Sequence, residues 1–125
     1  MKKMIATVLC FVLALSMVGC GKAVSGSEIY SFPEPTTQIT GSFYSQGQET
    51  PFQISTEKCL SIIKWFYDLK VAPCDKPEIV DGAESYVFNV KGENAYTYEE
   101  RGSNSYIIID RNYYKVSNPS TPPIN

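Results

Sequence analysis

The sequence predicts an α+β fold in which one α-helix packs on a twisted antiparallel β-sheet. Apolar residues alternate with polar ones at 39–43 and 52–54, take helical spacing over 57–70, and alternate again between 86 and 116. A period of two indicates half-buried strands, and a spacing of three and four indicates an amphipathic helix. The predicted element order is therefore β-β-α-β-β-β-β, with the helix on one face of the sheet.

The first two strands form a predicted hairpin. Residues 39–43 alternate, residues 45–48 (Ser-Gln-Gly-Gln) have the composition of a turn, and residues 52–54 return. Pro51 has no N–H to donate to a neighbouring strand. The returning strand is therefore expected at the edge of the sheet.

The helix is predicted from Glu57 to about Lys70. Its apolar residues fall in one stripe, with Trp65 on the flank: Cys59, Ile62, Ile63, Phe66 and Leu69. Pro73 disfavours helical backbone before it, so the helix should stop there. Residues 71–82, with two prolines and one glycine, are expected to form a loop.

A four-stranded meander follows the loop. Strands are expected near residues 85–90, 96–99, 106–109 and 113–116, with polar turns between them. The order of elements is similar to that of cystatin-like folds, in which a helix after the first strand lies on such a meander. This resemblance rests on element order alone, and a fold does not by itself give a function.

The N-terminus has the features of an export signal. Lys2 and Lys3 precede a 14-residue apolar or small run over residues 5–18 and then Gly19. Residues 17–20, Met-Val-Gly-Cys, resemble the bacterial lipobox, in which the final Cys is lipidated. The resemblance implies that Cys20 becomes the first residue of a lipoprotein anchored on the extracytoplasmic face of a bacterial cell membrane. An ordinary secretory signal and an uncleaved anchor are the alternatives.

These features predict a linear domain organisation. Residues 1–19 are the signal, and residues 20–36 carry the lipidated Cys20 and a flexible tether. Residues 37–117 form the single α+β domain, and residues 118–125 form a proline-rich tail that is expected to be extended. Removal of the signal takes two lysines and no acid from a chain of formal charge −2, leaving −4. That charge disfavours nucleic acid as a partner.

Composition also argues against catalysis and metal binding. The chain has no His, the commonest general base and the commonest metal ligand. The adjacent pair Glu99 and Glu100 would point to opposite faces of a strand. The spacing of Asp75, Glu78, Asp81 and Glu84 suggests a cation loop, but the regular EF-hand pattern and its sixth-position Gly are missing, which favours a solvated loop. We therefore expect no enzyme, no cofactor and no metal.

Two cysteines remain in the mature chain besides the lipidated one. Cys59 and Cys74 are an even pair in an exported domain, which favours one disulfide. The alternative is a buried Cys59 thiol that only packs. A bridge would require the chain to turn back along the helix or the helix to stop nearer Asp68, because the Cα atoms of the two cysteines must lie within ~7 Å.

The remaining site candidates are aromatic and apolar. One helix cannot cover both faces of a sheet, so part of the last two strands should expose a patch suited to a partner. The candidates are Tyr106, Ile108, Tyr113 and Tyr114, with Trp65 on the helix flank as a second site. Ordinary cross-strand packing is the alternative.

The expected function is therefore a small membrane-anchored binding module for a protein or a cell-wall glycan. A protective inhibitor of a lytic enzyme or protease is the second possibility, and it would use a protruding loop at residues 71–82.

Overall fold

Eight antiparallel strands and one short α-helix are present in the part of the chain that the computed structural model describes, residues 22–78 and 82–124. The strands are β1 Val24–Ser25, β2 Ile39–Ser45, β3 Gln48–Ile54, β4 Lys70–Cys74, β5 Glu84–Val90, β6 Glu93–Arg101, β7 Asn104–Ile109 and β8 Asn112–Val116. The helix α1 spans Cys59–Tyr67 and follows a 3₁₀ turn at Thr56–Lys58. The predicted α+β class is confirmed in this coarse form, with β-structure dominant.

All strands belong to one sheet in the order β1-β4-β8-β7-β6-β5-β2-β3. The helix α1 connects β3 to β4, which are separated in the sheet by five other strands. It therefore packs across one face of the sheet, here called the inner face, and buries Ile62 and Phe66 there. The opposite face is called the outer face.

The hairpin predictions are confirmed. Tight turns at Gln46–Gly47, Lys91–Gly92 and Asp110–Arg111 have positive φ at both residues, the geometry that matches the twist of two-residue hairpins. The strand β3, which contains Pro51, lies at one end of the sheet, as Pro51 predicted.

The helix is shorter than predicted, and part of the predicted loop 71–82 is a strand. The helix α1 ends at Tyr67, and the amide of Leu69 then donates to the Phe66 carbonyl oxygen at 3.1 Å. Residues 70–74 form β4 and bury Val71 completely. Pro73 is tolerated because β1 pairs only with residues 70 and 71, so β4 has no neighbour on that side at Pro73.

Residues 24–36 do not form the predicted flexible tether. The strand β1 pairs with β4, and the Gly26 amide donates to the Leu69 carbonyl oxygen at 2.9 Å. Gly26 approaches α1 so closely that a Cβ atom there would overlap the Phe66 carbonyl oxygen. Phe32 is buried in the core. The apolar residues of this segment thus complete the domain.

The proline-rich tail is also packed. The indole Nε1 of Trp65 donates to the Ser120 Oγ at 3.0 Å, and Pro122 is buried. The Asn118 side chain accepts from the Lys70 amide at 2.6 Å and donates to the Asp68 carbonyl oxygen at 3.1 Å. These bonds satisfy backbone groups just after α1, where a helix leaves carbonyls without partners.

The core between α1 and the sheet is aromatic. The rings of Phe66 and Tyr96 have centroids 4.3 Å apart, and Tyr96 stacks on Phe88 at 4.9 Å. Tyr96 and Tyr98 are completely buried, and their hydroxyls have no hydrogen-bond partner among the described residues. A buried hydroxyl without a partner costs about 1–3 kcal/mol of stability.

Tyr96→Phe is therefore expected to stabilise the domain by about 1 kcal/mol, since it removes only this hydroxyl. Burial raises the pKa of Tyr96 well above 10.0. The neutral form of Tyr96 is thus favoured in the folded state. The effect of this raised pKa on stability is constant below pH ~10, and the free energy of unfolding falls as pH rises toward the folded-state pKa, because the unfolded chain loses this proton first. Urea unfolding at neutral and alkaline pH should show a higher midpoint and a weaker alkaline decline for the variant.

Tyr44→Phe, at an exposed site, is the control and should leave the midpoint unchanged. A lower midpoint for Tyr96→Phe would show that the hydroxyl has a partner.

Candidate functional site

The predicted aromatic patch is divided between the two faces of the sheet. Tyr114 pairs with Ile107 on the inner face and packs against the core. Tyr106 lies on the outer face but is only 8% exposed. The expectation of a continuous exposed patch is therefore wrong for both tyrosines. Ile108 and Tyr113, which are cross-strand partners on the outer face, are half-buried.

Arg101 covers this part of the outer face. Its Nε atom lies 2.7 Å from the Glu99 Oε1, and its Nη1 donates to the carbonyl oxygens of Pro77 at 3.0 Å and Glu78 at 2.8 Å. The guanidinium carbon lies 5.9 Å from the centroid of the Tyr113 ring. Burial by itself would lower the pKa of Arg101, but the hydrogen bond and charge of Glu99 raise it above its usual value. The segment after β4 is thereby bound to the sheet.

Cys59 and Cys74 do not form the predicted disulfide. Cys59 is a buried free thiol at the start of α1, on the inner face. Val71 faces the same core, and side chains alternate along β4, so Cys74 points to the outer face. The sheet therefore separates the two sulfur atoms. The alternative prediction, in which the Cys59 thiol packs in the core, agrees with the structure.

Trp65 is half-buried on α1 and packs against the core on the inner face. Its ring contacts Tyr98 edge-on with centroids 5.1 Å apart, and its Nε1 binds Ser120 of the tail. Trp65 thus binds the tail at Ser120, which lines a concavity at the ends of β5 and β6. Trp65 itself is not among the lining residues of that concavity.

This concavity, here called the acidic pocket, has a volume of about 500 Å³. Its lining comes from the ends of β5 and β6, the turn between β6 and β7, and the tail. The lining residues are Gly82, Glu84, Glu100, Gly102, Ser103, Ser105, Pro119, Ser120 and Thr121. Two of them are acidic, and none of these described residues is basic. The pocket therefore combines carboxylate and hydroxyl oxygens in a space of the size that small ligands occupy.

Glu84 and Glu100 face each other across adjacent strands. They are direct register partners of β5 and β6, and both are half-buried. Glu84 accepts a hydrogen bond from the Ser45 Oγ at 2.6 Å. Ser105 pairs with Glu100 on the other side and is buried. Like charges directly opposite each other destabilise a sheet, so this pair is costly unless a positive group joins it.

Tyrosine rings lie next to the two carboxylates. Tyr86 and Tyr98 are the next residues of the same face and are register partners, with ring centroids 6.2 Å apart. Burial raises the pKa of Tyr86, and the charges of Glu100 and Glu84 raise it further. Burial is also the main cause that raises the pKa of Tyr98, with Glu100 adding to it. The charges of both carboxylates thus act on Tyr86, and the charge of Glu100 acts on Tyr98.

The positions of Glu84 and Glu100 in the sequence contain a signal for this site. Glu84 precedes Tyr86 by two residues and Glu100 follows Tyr98 by two, so alternation places both acids on the core-facing side of their strands. Acidic residues on a core-facing stripe are unusual. The adjacent pair Glu99 and Glu100 does point to opposite faces, as predicted.

A second concavity, here called the apolar groove, runs between α1 and the segment before β2. It has a volume of about 520 Å³ and is lined by Phe32, Pro33, Glu34, Pro35, Thr36, Leu60, Ile63 and Tyr67. The Tyr67 hydroxyl accepts from the Phe32 amide at 2.9 Å. Leu60 is 75% exposed at its rim.

The remaining structural features are those of residues 22–78 and 82–124. No group of three or more His, Cys, Asp or Glu side chains there is placed to hold a metal ion. No helix in that part is both long and apolar enough to cross a bilayer. Cys20 lies outside the described residues. Comparisons with protein-family models, with curated proteins and with solved structures find no match.

Proposed function

We propose that this chain is a bacterial lipoprotein, anchored through Cys20 to the extracytoplasmic face of the cell membrane, that binds a partner through the acidic pocket. The observation that carries the binding role is the pair Glu84 and Glu100, which face each other in a cavity of about 500 Å³. A cystatin-like arrangement is part of the proposal. Its support is the packing of α1 on the sheet that contains the β5–β8 meander.

The anchor would hold the domain close to the bilayer. The strand β1 begins at Val24, four residues after Cys20, and four extended residues span at most ~14 Å. The mature chain has a formal charge of −4, which disfavours adhesion to anionic lipid. Anchoring would therefore rely on acyl chains, and two of these are needed for stable attachment.

Binding suits the groups in the pocket better than catalysis. The chain contains no His, so no Ser-His or Cys-His pair can form. The hydroxyls of Ser103, Ser105 and Ser120 stand beside two carboxylates, an arrangement that suits recognition by charge and hydrogen bonds. The ligand would be a protein or a cell-wall component within reach of the membrane.

The inhibitor alternative has less support. It requires a protruding loop at residues 71–82, but residues 70–74 form β4. The carbonyl oxygens of Pro77 and Glu78 are bound by Arg101, so the described part of this segment lies against the outer face.

The proposal is tested in the cells that make the protein. A photo-crosslinking residue at position 103, at the pocket rim, should capture a specific partner, and the same residue at position 49 on β3 should not. Cys20→Ala should release the protein from the membrane or leave an unprocessed precursor, and a fatty-acid analogue should label the wild type only. Equal labelling of both forms would refute the anchor. Equal capture from positions 103 and 49 would refute the pocket as the binding site.

A further inference from the structure

We infer that the acidic pocket binds an organic cation, an ammonium or guanidinium group such as a Lys or Arg side chain of the partner carries. This inference rests on the proposed function and names the chemistry of its ligand. Glu84 and Glu100 are direct cross-strand partners, and none of the described lining residues supplies a positive charge to balance them. A cationic group between them would form charge-assisted hydrogen bonds with both carboxylates.

A second observation points to a ligand independently of the acids. The Tyr98 hydroxyl is fully buried and has no hydrogen-bond partner among the described residues. Burial raises the pKa of Tyr98, and the Ser105 side chain and the Ser120 backbone, both in the pocket lining, lie close enough to this hydroxyl to lower that pKa in part. The hydroxyl oxygen is thus available to an N–H donor that enters between those residues.

The neighbours and the size of the pocket favour an organic cation over a metal ion. Tyr86 and Tyr98 do not line the pocket, but they are the next residues on the same face as the two carboxylates, and aromatic rings attract ammonium and guanidinium groups within about 6 Å. Ca²⁺ takes 6–8 oxygen ligands at 2.3–2.6 Å, which a compact cage provides. A cavity of about 500 Å³ with two carboxylates is more open than such a cage and accommodates a side chain.

The presence of the Glu84–Glu100 pair is better explained by ligand binding than by a contribution to the stability of the domain. Replacing Glu100 with the isosteric Gln removes the like-charge repulsion across the strands. The unliganded domain should therefore be as stable as the wild type or more stable, while cation binding is lost. A structural role would produce the opposite pattern.

The test is isothermal titration calorimetry on the full protein purified from membranes in a nonionic detergent. The probes are the N-acetyl methylamides of lysine and arginine, the uncharged norleucine analogue, and CaCl₂. We expect saturable binding of the lysine or arginine probe, weakened by added salt, and none of norleucine. Glu100→Gln should weaken binding about tenfold or more without lowering the unfolding midpoint. Glu93→Gln, the same charge change at the exposed far end of β6, is the matched control and should bind as the wild type does.

Several results would overturn the inference. These are equal binding of the norleucine probe, binding of CaCl₂ but not of the organic cations, or an equal loss in Glu100→Gln and Glu93→Gln. No binding of either cation would also overturn it. If position 103 still captures a partner in that case, only the ligand chemistry fails and the binding function remains. Loss of the position-103 capture would remove the proposed function itself.

Discussion

Phe66→Ala is expected to lower the free energy of unfolding by about 3–5 kcal/mol, the range for truncation of a buried aromatic residue. Phe66 is completely buried. Its ring lies 4.3 Å from Tyr96 on β6, 5.9 Å from Phe32 and 6.1 Å from Tyr30, measured between centroids. It therefore joins α1 to the sheet and to the N-terminal segment at one point. Its loss leaves a cavity that rings held on two separate segments, β6 and the N-terminal segment, cannot fill by a small shift.

Urea unfolding monitored by tyrosine and tryptophan fluorescence measures this change. Leu60→Ala removes an apolar side chain from the same helix at a position that is 75% exposed, and it should change stability by less than about 0.5 kcal/mol. Phe66→Leu should fall between the wild type and Phe66→Ala. Equal effects of Phe66→Ala and Leu60→Ala would show that α1 does not pack on the sheet through Phe66.

The sequence was sufficient to predict the elements whose patterns are long. The helical stripe that contains Ile62 and Phe66 and the alternation of the four meander strands both have several periods, and both elements form. Short elements were missed. The strand β1 has two residues, and β4 combines one fully buried residue, Val71, with Pro73. Neither segment has enough alternation to identify a strand, because each forms through pairing with a distant segment.

The candidate site was missed for a different reason. Alternation does place Glu84 and Glu100 on the side of Tyr86 and Tyr98, but only the register of β5 with β6 makes the two acids direct partners. The tail segment at Ser120, which forms another wall of the pocket, is held there by Trp65, 55 positions earlier in the chain. Local patterns carry no information on such contacts, so the pocket is a product of tertiary structure.

The second large effect on the free energy of unfolding is expected for substitution of Arg101 on the outer face. Arg101→Met should lower the free energy of unfolding by about 3–5 kcal/mol, because it removes one partner of a largely buried ion pair. The side chains of Arg101 and Glu99 are only 10% and 15% exposed. Without the guanidinium, Glu99 loses its cation and the carbonyl oxygens of Pro77 and Glu78 lose their donor. Tyr106, which lies near enough to Arg101 to act on its charge, would also lose this neighbour.

A double-mutant cycle separates the ion pair from the other contacts of Arg101. Glu99→Gln combined with Arg101→Met leaves no charge behind, so the double variant should be more stable than Arg101→Met alone. Lys64→Met is the matched control, because Lys64 forms a salt bridge with Asp68 at 3.0 Å on the exposed side of α1. Its cost should stay below about 1 kcal/mol.

Additive effects of Glu99→Gln and Arg101→Met would refute the coupling. A cost for Arg101→Met no larger than that for Lys64→Met would mean that the outer face is not covered in solution, and Tyr106 would return as a candidate contact residue.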